Sequence, residues 1–315
     1  MKVAYLVMTH ENPRLLQRTI QALSFNDPDC AFFIHLDLKT PFDKFSGVSG
    51  QNVHFIENRI PVFWGEFSQV DATLSLIREA IASPNRYDYF VLITGSCYPL
   101  RSGGYIRRFF EAGNDSEYME IVKVPAPGYP LARFEAIRFP SSRPALRFLF
   151  RALGRIGLGR RDHQKRLKGL SLYAGEGAWA LSRRSCEYIL QFVATHPHVE
   201  AYFRNSFAPD ESFVHTIVGN SDFLNHVQPN IVYAVWPGPS NGHPAIITLK
   251  EVAKFERENC VTSDRPGEFQ EMLFARKIND RSPQIIRRID TMIERKEGIE
   301  LPFSMDFSSE EHQRI

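Results

Sequence analysis

Val3-Ala4-Tyr5-Leu6-Val7-Met8, followed at once by Thr9-His10, is the stretch that decides the fold. A short apolar run without polar alternation describes a strand buried on both faces, the habit of parallel sheets. Asn12-Pro13 then opens a helix, in which Leu15, Leu16, Thr19, Ile20 and Leu23 recur at helical spacing. Residues 31–36 form a second buried strand, ending at Asp37-Leu38-Lys39, and residues 53–56 a short third one. Ser68 begins a helix with Val70, Leu74, Ile77 and Ile81 on one face. Residues 87–93 return as a strand that ends at Thr94-Gly95-Ser96, and Ile106, Phe109 and Phe110 mark a further helix. Strands alternating with crossover helices predict an α/β chain with a mostly parallel central sheet flanked by helices. Ligands of such sheets sit beyond the carboxyl ends of the strands. Here those ends carry Thr9-His10, Asp37-Leu38-Lys39 and Thr94-Gly95-Ser96.

The second half is less regular. A strand or hairpin is expected over 172–181 around Gly175-Glu176-Gly177, helices over 185–195 and 209–218, and a short strand over 231–235. Residues 237–244 are rich in Pro, Gly and Asn, a loop signal. No internal repeat or low-complexity linker occurs. The expected organisation is one domain over 1–300, with a first half over 1–115, a second half over 116–300, and a tail over 301–315.

With 38 basic and 36 acidic side chains the formal charge is +2, which argues against wrapping nucleic acid by net charge. Hydrophobic residues at 43% exclude a disordered chain, and the length allows an ample core. Twenty-five Phe against three Trp suggest either an aromatic-rich core or apolar surface kept for a partner. Cys30, Cys97, Cys186 and Cys260 lie far apart without a Cys-x-x-Cys pair, so free thiols are expected. No signal peptide or run of about 20 apolar residues is found, so the expected compartment is the cytoplasm. One segment departs from the average: residues 143–168 hold nine Lys or Arg and one acid, Asp162. Arg143, Arg147, Arg151 and Arg155 repeat every four residues with apolar residues between them. That pattern reads as a basic amphipathic helix, either a solvated face or a docking surface for an acidic acceptor or for anionic headgroups at the inner face of a membrane.

The motifs together resemble glycosyltransferase family 14, the core-2/I-branching β-1,6-N-acetylglucosaminyltransferases and peptide O-xylosyltransferases. The match runs in order over most of residues 3–280: Ala4 to His10; Phe33-Ile34-His35-Leu36-Asp37-Leu38-Lys39; Val62-Phe63-Trp64-Gly65 leading into Ser68-Gln69; Tyr89 to Leu100 through Thr94-Gly95-Ser96-Cys97-Tyr98-Pro99; Gly175-Glu176-Gly177-Ala178-Trp179; Pro209-Asp210-Glu211-Ser212-Phe213; and Leu273-Phe274-Ala275-Arg276-Lys277. The resemblance implies a GT-A type Rossmann-like nucleotide-sugar-binding fold, a UDP-sugar donor, a glycan or lipid-linked glycan acceptor, inversion at the anomeric carbon, and catalysis with no metal or other cofactor. GlcNAc and xylose are the donor sugars it implies first, and a bacterial-type member acting on surface polysaccharide is the expected setting. The alternatives are a retaining or otherwise different nucleotide-sugar transferase, and a relative that kept binding but lost catalysis.

Residue by residue, the resemblance makes Glu211 the catalytic base, which takes the acceptor hydroxyl proton. It assigns donor contacts to Met8, Thr9 and His10, to Asp37 and Lys39, to the Trp64 ring, and to Lys277 at the diphosphate. The family's branching enzymes also place an Arg at the diphosphate, and His243 or Lys254 stands nearest to it here. Glu120 matches an acceptor-sugar contact. Cys97 stands where the family usually has Asp, and Glu176 where it often has a small Ser. Asp27-Pro28-Asp29 is the sole literal Asp-x-Asp, a motif that often holds a divalent cation. It precedes a strand, and a turn is the better reading.

Overall fold

The computed structural model describes residues 1–113, 115–138, 160–237, 243–258 and 270–301, together with Phe148 and Val261. Its centre is a seven-stranded sheet. The strands are β1 (Val3–Thr9), β2 (Ala31–Leu36), β3 (Val53–Phe55), β4 (Tyr89–Thr94), β6 (Glu117–Met119), β9 (Trp179–Ser182) and β10 (Val227–Gln228), in the order β10-β6-β9-β4-β1-β2-β3. β1 pairs in parallel with β2 and with β4, and β2 with β3, so the first half is the predicted mostly parallel sheet. β9 is the exception: it runs antiparallel to both β4 and β6, while β6 and its parallel partner β10 keep the direction of β4.

Apolar periodicity explains the flanking helices. Helix Pro13–Ser24 buries Leu15, Leu16, Thr19, Ile20 and Leu23, and helix Ser68–Ala82 buries Val70, Leu74 and Ile77. Each large apolar side chain so buried contributes roughly 1.5–3 kcal/mol against exposure. Asn12 precedes the first helix at φ 61° and does not cap it with its side chain. Instead its amide donates to Ser96 Oγ at 3.2 Å and accepts from the Asp280 N–H at 3.3 Å, tying three ligand-facing loops together. Phe32, Phe45, Phe90, Phe110, Phe134, Phe203, Phe213 and Phe255 are fully buried, which assigns much of the Phe excess to the core.

A second sheet of three strands bridges the halves: β5 (Cys97–Pro99), β11 (Val232–Ala234) and β12 (Phe274–Arg276), ordered β11-β12-β5. β12 pairs antiparallel with β5, opposing Arg276 to Cys97, and so carries the chain's late residues back to the end of β4. Leu249–Arg257 and Pro283–Glu297 cover this region, with Arg18, Asp290 and Tyr98 linked in its interior (Arg18 Nη2 to Asp290 Oδ2 2.7 Å; Tyr98 hydroxyl to Asp290 Oδ1 2.6 Å).

Two expectations need correction. The 172–181 segment is no hairpin. Its first strand, β8 (Tyr173–Ala174), pairs with β7 (Val122–Lys123), while β9 joins the central sheet. Gly175 is why the chain can turn there: a Cβ on it would lie 1.9 Å from the Glu120 carbonyl oxygen. The 209–218 helix is interrupted. Pro209–Glu211 is one 3-10 turn, Ser212 breaks it at φ −150°, and the α-helix runs over Phe213–Gly219. Glu211 therefore stands on a tight turn, not in the first turn of a long helix.

Arg143, Arg147, Arg151 and Arg155 lie outside the described residues, as do Cys260 and residues 302–315. Of the basic segment's described part, Arg161 is structural. Its guanidinium donates to the Phe134 carbonyl (3.1 Å) and Ser206 Oγ (2.9 Å) and stacks on Tyr202. Cys30, Cys97 and Cys186 are free and buried. Among the described residues, no helix is long and apolar enough to cross a membrane.

Candidate active site

A cavity of about 550 Å³ opens at the carboxyl ends of β1, β2 and β4. It sits at the point where the strand order reverses about β1, the place the sheet topology favours for a ligand. Met8, Thr9, His10, Asp37, Lys39, Trp64, His243 and Lys277, all eight residues assigned to the donor by resemblance, line this one cavity. Lys254 does not reach it: its ammonium lies near Glu258 (3.9 Å) and over the Tyr233 ring.

The floor is rigid. The Asp37 N–H donates to the Thr9 carbonyl (2.9 Å) and the Gly95 N–H to the Met8 carbonyl (3.0 Å). Gly95 is required by close approach, since a Cβ there would lie 2.2 Å from Thr9 Oγ1. Asp37 is 6% exposed; it accepts from the Lys39 N–H (2.9 Å) and meets Lys39 Nζ at 3.2 Å. Arg59 holds the loop from behind, donating to the carbonyls of Leu36 (2.8 Å) and Asp37 (2.9 Å). His35 lies under the floor, where Nε2 accepts from the Ile60 N–H at 3.1 Å. Burial lowers its pKa, in keeping with a neutral ring.

Trp64 forms the exposed rim, 56% accessible, with its ring against Phe207 (5.5 Å) and His243 (5.1 Å). Opposite stand Arg276 and Lys277, delivered by β12. Lys277 faces Glu11 at 3.6 Å. Arg276 has a buried Nε with no hydrogen-bond partner. Sequence reasoning missed Arg276, though a charged residue ending a buried strand beside Lys277 was a usable signal. Cys97, by contrast, is buried in β5 with its thiol 3.5 Å from Thr94 Oγ1, and Ser96 rather than Cys97 lines the cavity.

Past Arg276 the cavity continues into an annex of about 50 Å³, lined in common by Met8, Gln69, Thr94 and Arg276 and closed by Gly177, Trp179 and Asp210. Asp210 Oδ2 accepts from Gln69 Nε2 at 3.1 Å, while its buried Oδ1 has no partner. Burial, and then the charge of Glu211, push its carboxyl up to about 7. Glu211 turns the other way and makes a short ion pair with Arg133. That guanidinium is itself held over the rings of Tyr129, Phe134 and Phe207. The Gly175 N–H donates to the Glu211 carbonyl at 2.9 Å, fixing the turn to the Gly175-Glu176-Gly177 loop.

Glu120 is on the Glu211 side. Its Oε2 accepts from the Glu176 N–H at 3.2 Å. Burial raises the Tyr129 hydroxyl pKa, and the charges of Glu120, Glu211 and Glu176 raise it further. Trp236, 41% exposed, donates its Nε1 to Glu176 Oε1 at 2.9 Å. Arg133, Tyr129 and Trp236 carried no motif that sequence reading could use. Asp27 is remote from all of this. It sits in the turn before β2, its N–H bonded to the Ser24 carbonyl (3.2 Å), with Arg107 at 3.7 Å.

The chain is 22% identical to a β-glucuronosyltransferase, GlcAT14A of Arabidopsis thaliana, over 99% of this chain and 68% of that protein. It is 25% identical to xylosyltransferase 1 of Homo sapiens over 73% of this chain, but spans only 23% of that longer protein. A sheep (Ovis aries) β-1,3-galactosyl-O-glycosyl-glycoprotein β-1,6-N-acetylglucosaminyltransferase 3 is 19% identical over 66% of this chain and 45% of its own length. Among solved structures, the galactosyltransferase LgtC in complex with donor and acceptor sugar analogs superposes with a TM-score of 0.42 at 10% identity, over 92% of this chain and 95% of that one. The profile of the family described as Core-2/I-Branching enzyme matches residues 3–256, and the chain belongs to that family.

Proposed function

We propose that this chain is an inverting, metal-independent glycosyltransferase that moves a sugar from a UDP-sugar to a hydroxyl of a glycan acceptor. GlcNAc is the first candidate sugar and xylose the second, with glucuronic acid added because a relative's name carries it. The observation that carries the reading is the continuous path from the strand-end cavity, past Arg276, to Asp210, the neighbour of Glu211 on one 3-10 turn.

Each part has a task. Asp37 suits ribose hydroxyls, and the Trp64 rim suits a flat base or sugar face. Arg276 and Lys277 offer a guanidinium and a point charge to the diphosphate. Glu211, oriented by Arg133, accepts the acceptor's hydroxyl proton as that oxygen attacks C1. The C1–O bond to the diphosphate breaks as the new bond forms, and its electron pair stays on the phosphate oxygen, where Arg276 and Lys277 stabilise the charge. Attack from the side opposite the leaving group inverts the anomeric centre.

The test is a melting-temperature screen with UDP, UDP-GlcNAc, UDP-xylose and UDP-glucuronic acid, followed by transfer assays with the sugar that binds. NMR of the product should show an anomeric configuration opposite to the donor's. Retention of configuration would remove the inverting mechanism, and no stabilisation by any UDP compound would remove the donor class.

A further inference from the structure

We propose that Glu176 sets acceptor choice in this chain, favouring neutral or amine-bearing saccharides over anionic ones; this rests on the glycosyltransferase reading above. The position is occupied by a long carboxylate, and each polar group of Glu176 has a partner. Its Oε1 accepts from Trp236 Nε1 (2.9 Å) and its Oε2 from Asn230 Nδ2 (3.2 Å). Its N–H donates to Glu120 Oε2 (3.2 Å), and its carbonyl is 3.0 Å from His215 Nε2. His215 is wholly buried and its pKa is lowered to about 4, so the ring is neutral and donates from Nε2. Gly175 and Gly177 hold the loop between Glu120 and Asp210: added Cβ atoms would lie 1.9 Å from the Glu120 carbonyl oxygen and 3.5 Å from Asp210 Oδ2.

Two consequences follow. The Trp236 ring is tethered by its edge, which leaves a face for an acceptor sugar while fixing its tilt. The Glu176 carboxylate also stands beside two others: Glu120 is bonded to the Glu176 N–H at 3.2 Å and the Glu211 backbone to the Gly175 N–H at 2.9 Å, and since Arg133 pairs with Glu211, three acids share one nearby cation. An acceptor ring lying on Trp236 and bearing a carboxylate or sulfate would meet like charge at Glu176, whereas hydroxyls donate to it and an ammonium group is attracted. A Ser at this position would supply neither the tether nor the charge.

The test measures binding of three matched probes to the UDP-loaded protein by calorimetry: p-nitrophenyl β-galactoside, its 2-amino-2-deoxy analogue and p-nitrophenyl β-galacturonide. The wild type should bind the galacturonide about tenfold or more weakly than the galactoside, and the amino sugar at least as tightly, at low ionic strength. Glu176→Gln, which still accepts from Trp236, should bring the galacturonide to within about threefold of the galactoside. Glu176→Ser should weaken all three by loosening the ring. An unchanged neutral-to-anionic ratio in Glu176→Gln, with UDP still raising the melting temperature, overturns the proposal alone. A uniform loss for all three probes in Glu176→Gln overturns it too, since it marks a merely structural role. Failure of UDP to stabilise even the wild type removes the donor assignment, and this inference with it.

Discussion

The strand-end cavity and the loop cluster around Glu211 are assembled differently. The cavity takes most of its walls from the ends of β1, β2 and β4, and Gly95 lets two of those ends touch. Its backbone is locked by sheet hydrogen bonds, and its polar groups follow directly on buried strands. The cleft takes one residue each from turns and short pieces: Glu120 after β6, Arg133 on Leu131–Glu135, Glu176 between β8 and β9, Glu211 on a 3-10 turn, and Trp236 beyond β11. A rigid frame suits the nucleotide proposed for it. A cleft built on turns can vary residue by residue while the frame persists.

Breaking the cleft without touching the cavity is the sharpest separation of the two, and it carries the largest expected effect. Glu211→Gln should lower kcat by about 10²–10⁴-fold, the range for losing a positioned general base, while leaving the UDP-induced melting shift as it was. Turnover within a few fold of wild type in that variant would take the base away from Glu211.

Breaking the cavity comes next. Arg276→Ala and Lys277→Ala each remove a charged donor, and a charge-assisted hydrogen bond is worth roughly 1.5–3 kcal/mol, so donor kcat/KM should fall about 10–100-fold. Binding of the acceptor probes should stay within a few fold. A variant that loses acceptor binding instead would show that Arg276 serves the cleft, and the boundary between the regions would move.

A third measurement concerns the carboxyl at their junction. Asp210 has a raised folded-state pKa, so the native state holds its proton where the unfolded chain has lost it. Its contribution to stability is present below the ordinary carboxylate pKa and is lost as pH rises through about 7. Asp27, pushed up to about 6, and Glu117, pushed up to about 7, slope the same way, so the wild type alone does not isolate Asp210. Asp210→Asn should flatten the fall in Tm between pH 5 and pH 8 by roughly a few degrees, read by differential scanning calorimetry at matched ionic strength. A slope identical to wild type would mean that Asp210 stays ionised across the range.

The same contrast explains what could be read from the sequence. Val3–Thr9, Ala31–Leu36 and Tyr89–Thr94 advertise themselves as uninterrupted apolar runs, so the sheet and the cavity residues just beyond them were legible. The antiparallel insertion of β9 was not. A run of four buried residues, Trp179–Ser182, carries no mark of direction, and the glycine turn before it looked like a hairpin. Arg133 and Trp236 have ordinary local sequence, and their role comes from what folds against them: Glu211 in one case and Glu176 in the other. Arg276 lay one residue from Lys277, but its orientation depends on β12 pairing with β5, a contact across much of the chain.

The smallest effect expected is none, and it tests the proposed division of labour at the diphosphate. A divalent cation neutralises phosphate charge in many nucleotide-sugar sites, and carboxylates close to the phosphates hold it. In this cavity Arg276 and Lys277 come in on β12 and just beyond it, with Glu11 paired to Lys277 at 3.6 Å and Asp37 at the β2 end. The Asp-x-Asp sequence lies elsewhere, in the turn before β2 beside Arg107. Under the proposed mechanism these two cations take the electrostatic task that a metal ion performs elsewhere. Transfer rates in excess EDTA should therefore match those in Mg²⁺ or Mn²⁺ to within about twofold. If chelation abolished transfer and Mn²⁺ restored it, Arg276 and Lys277 could not be the whole of the diphosphate site. Glu11 would then be the carboxylate to substitute first, since it already stands at that wall.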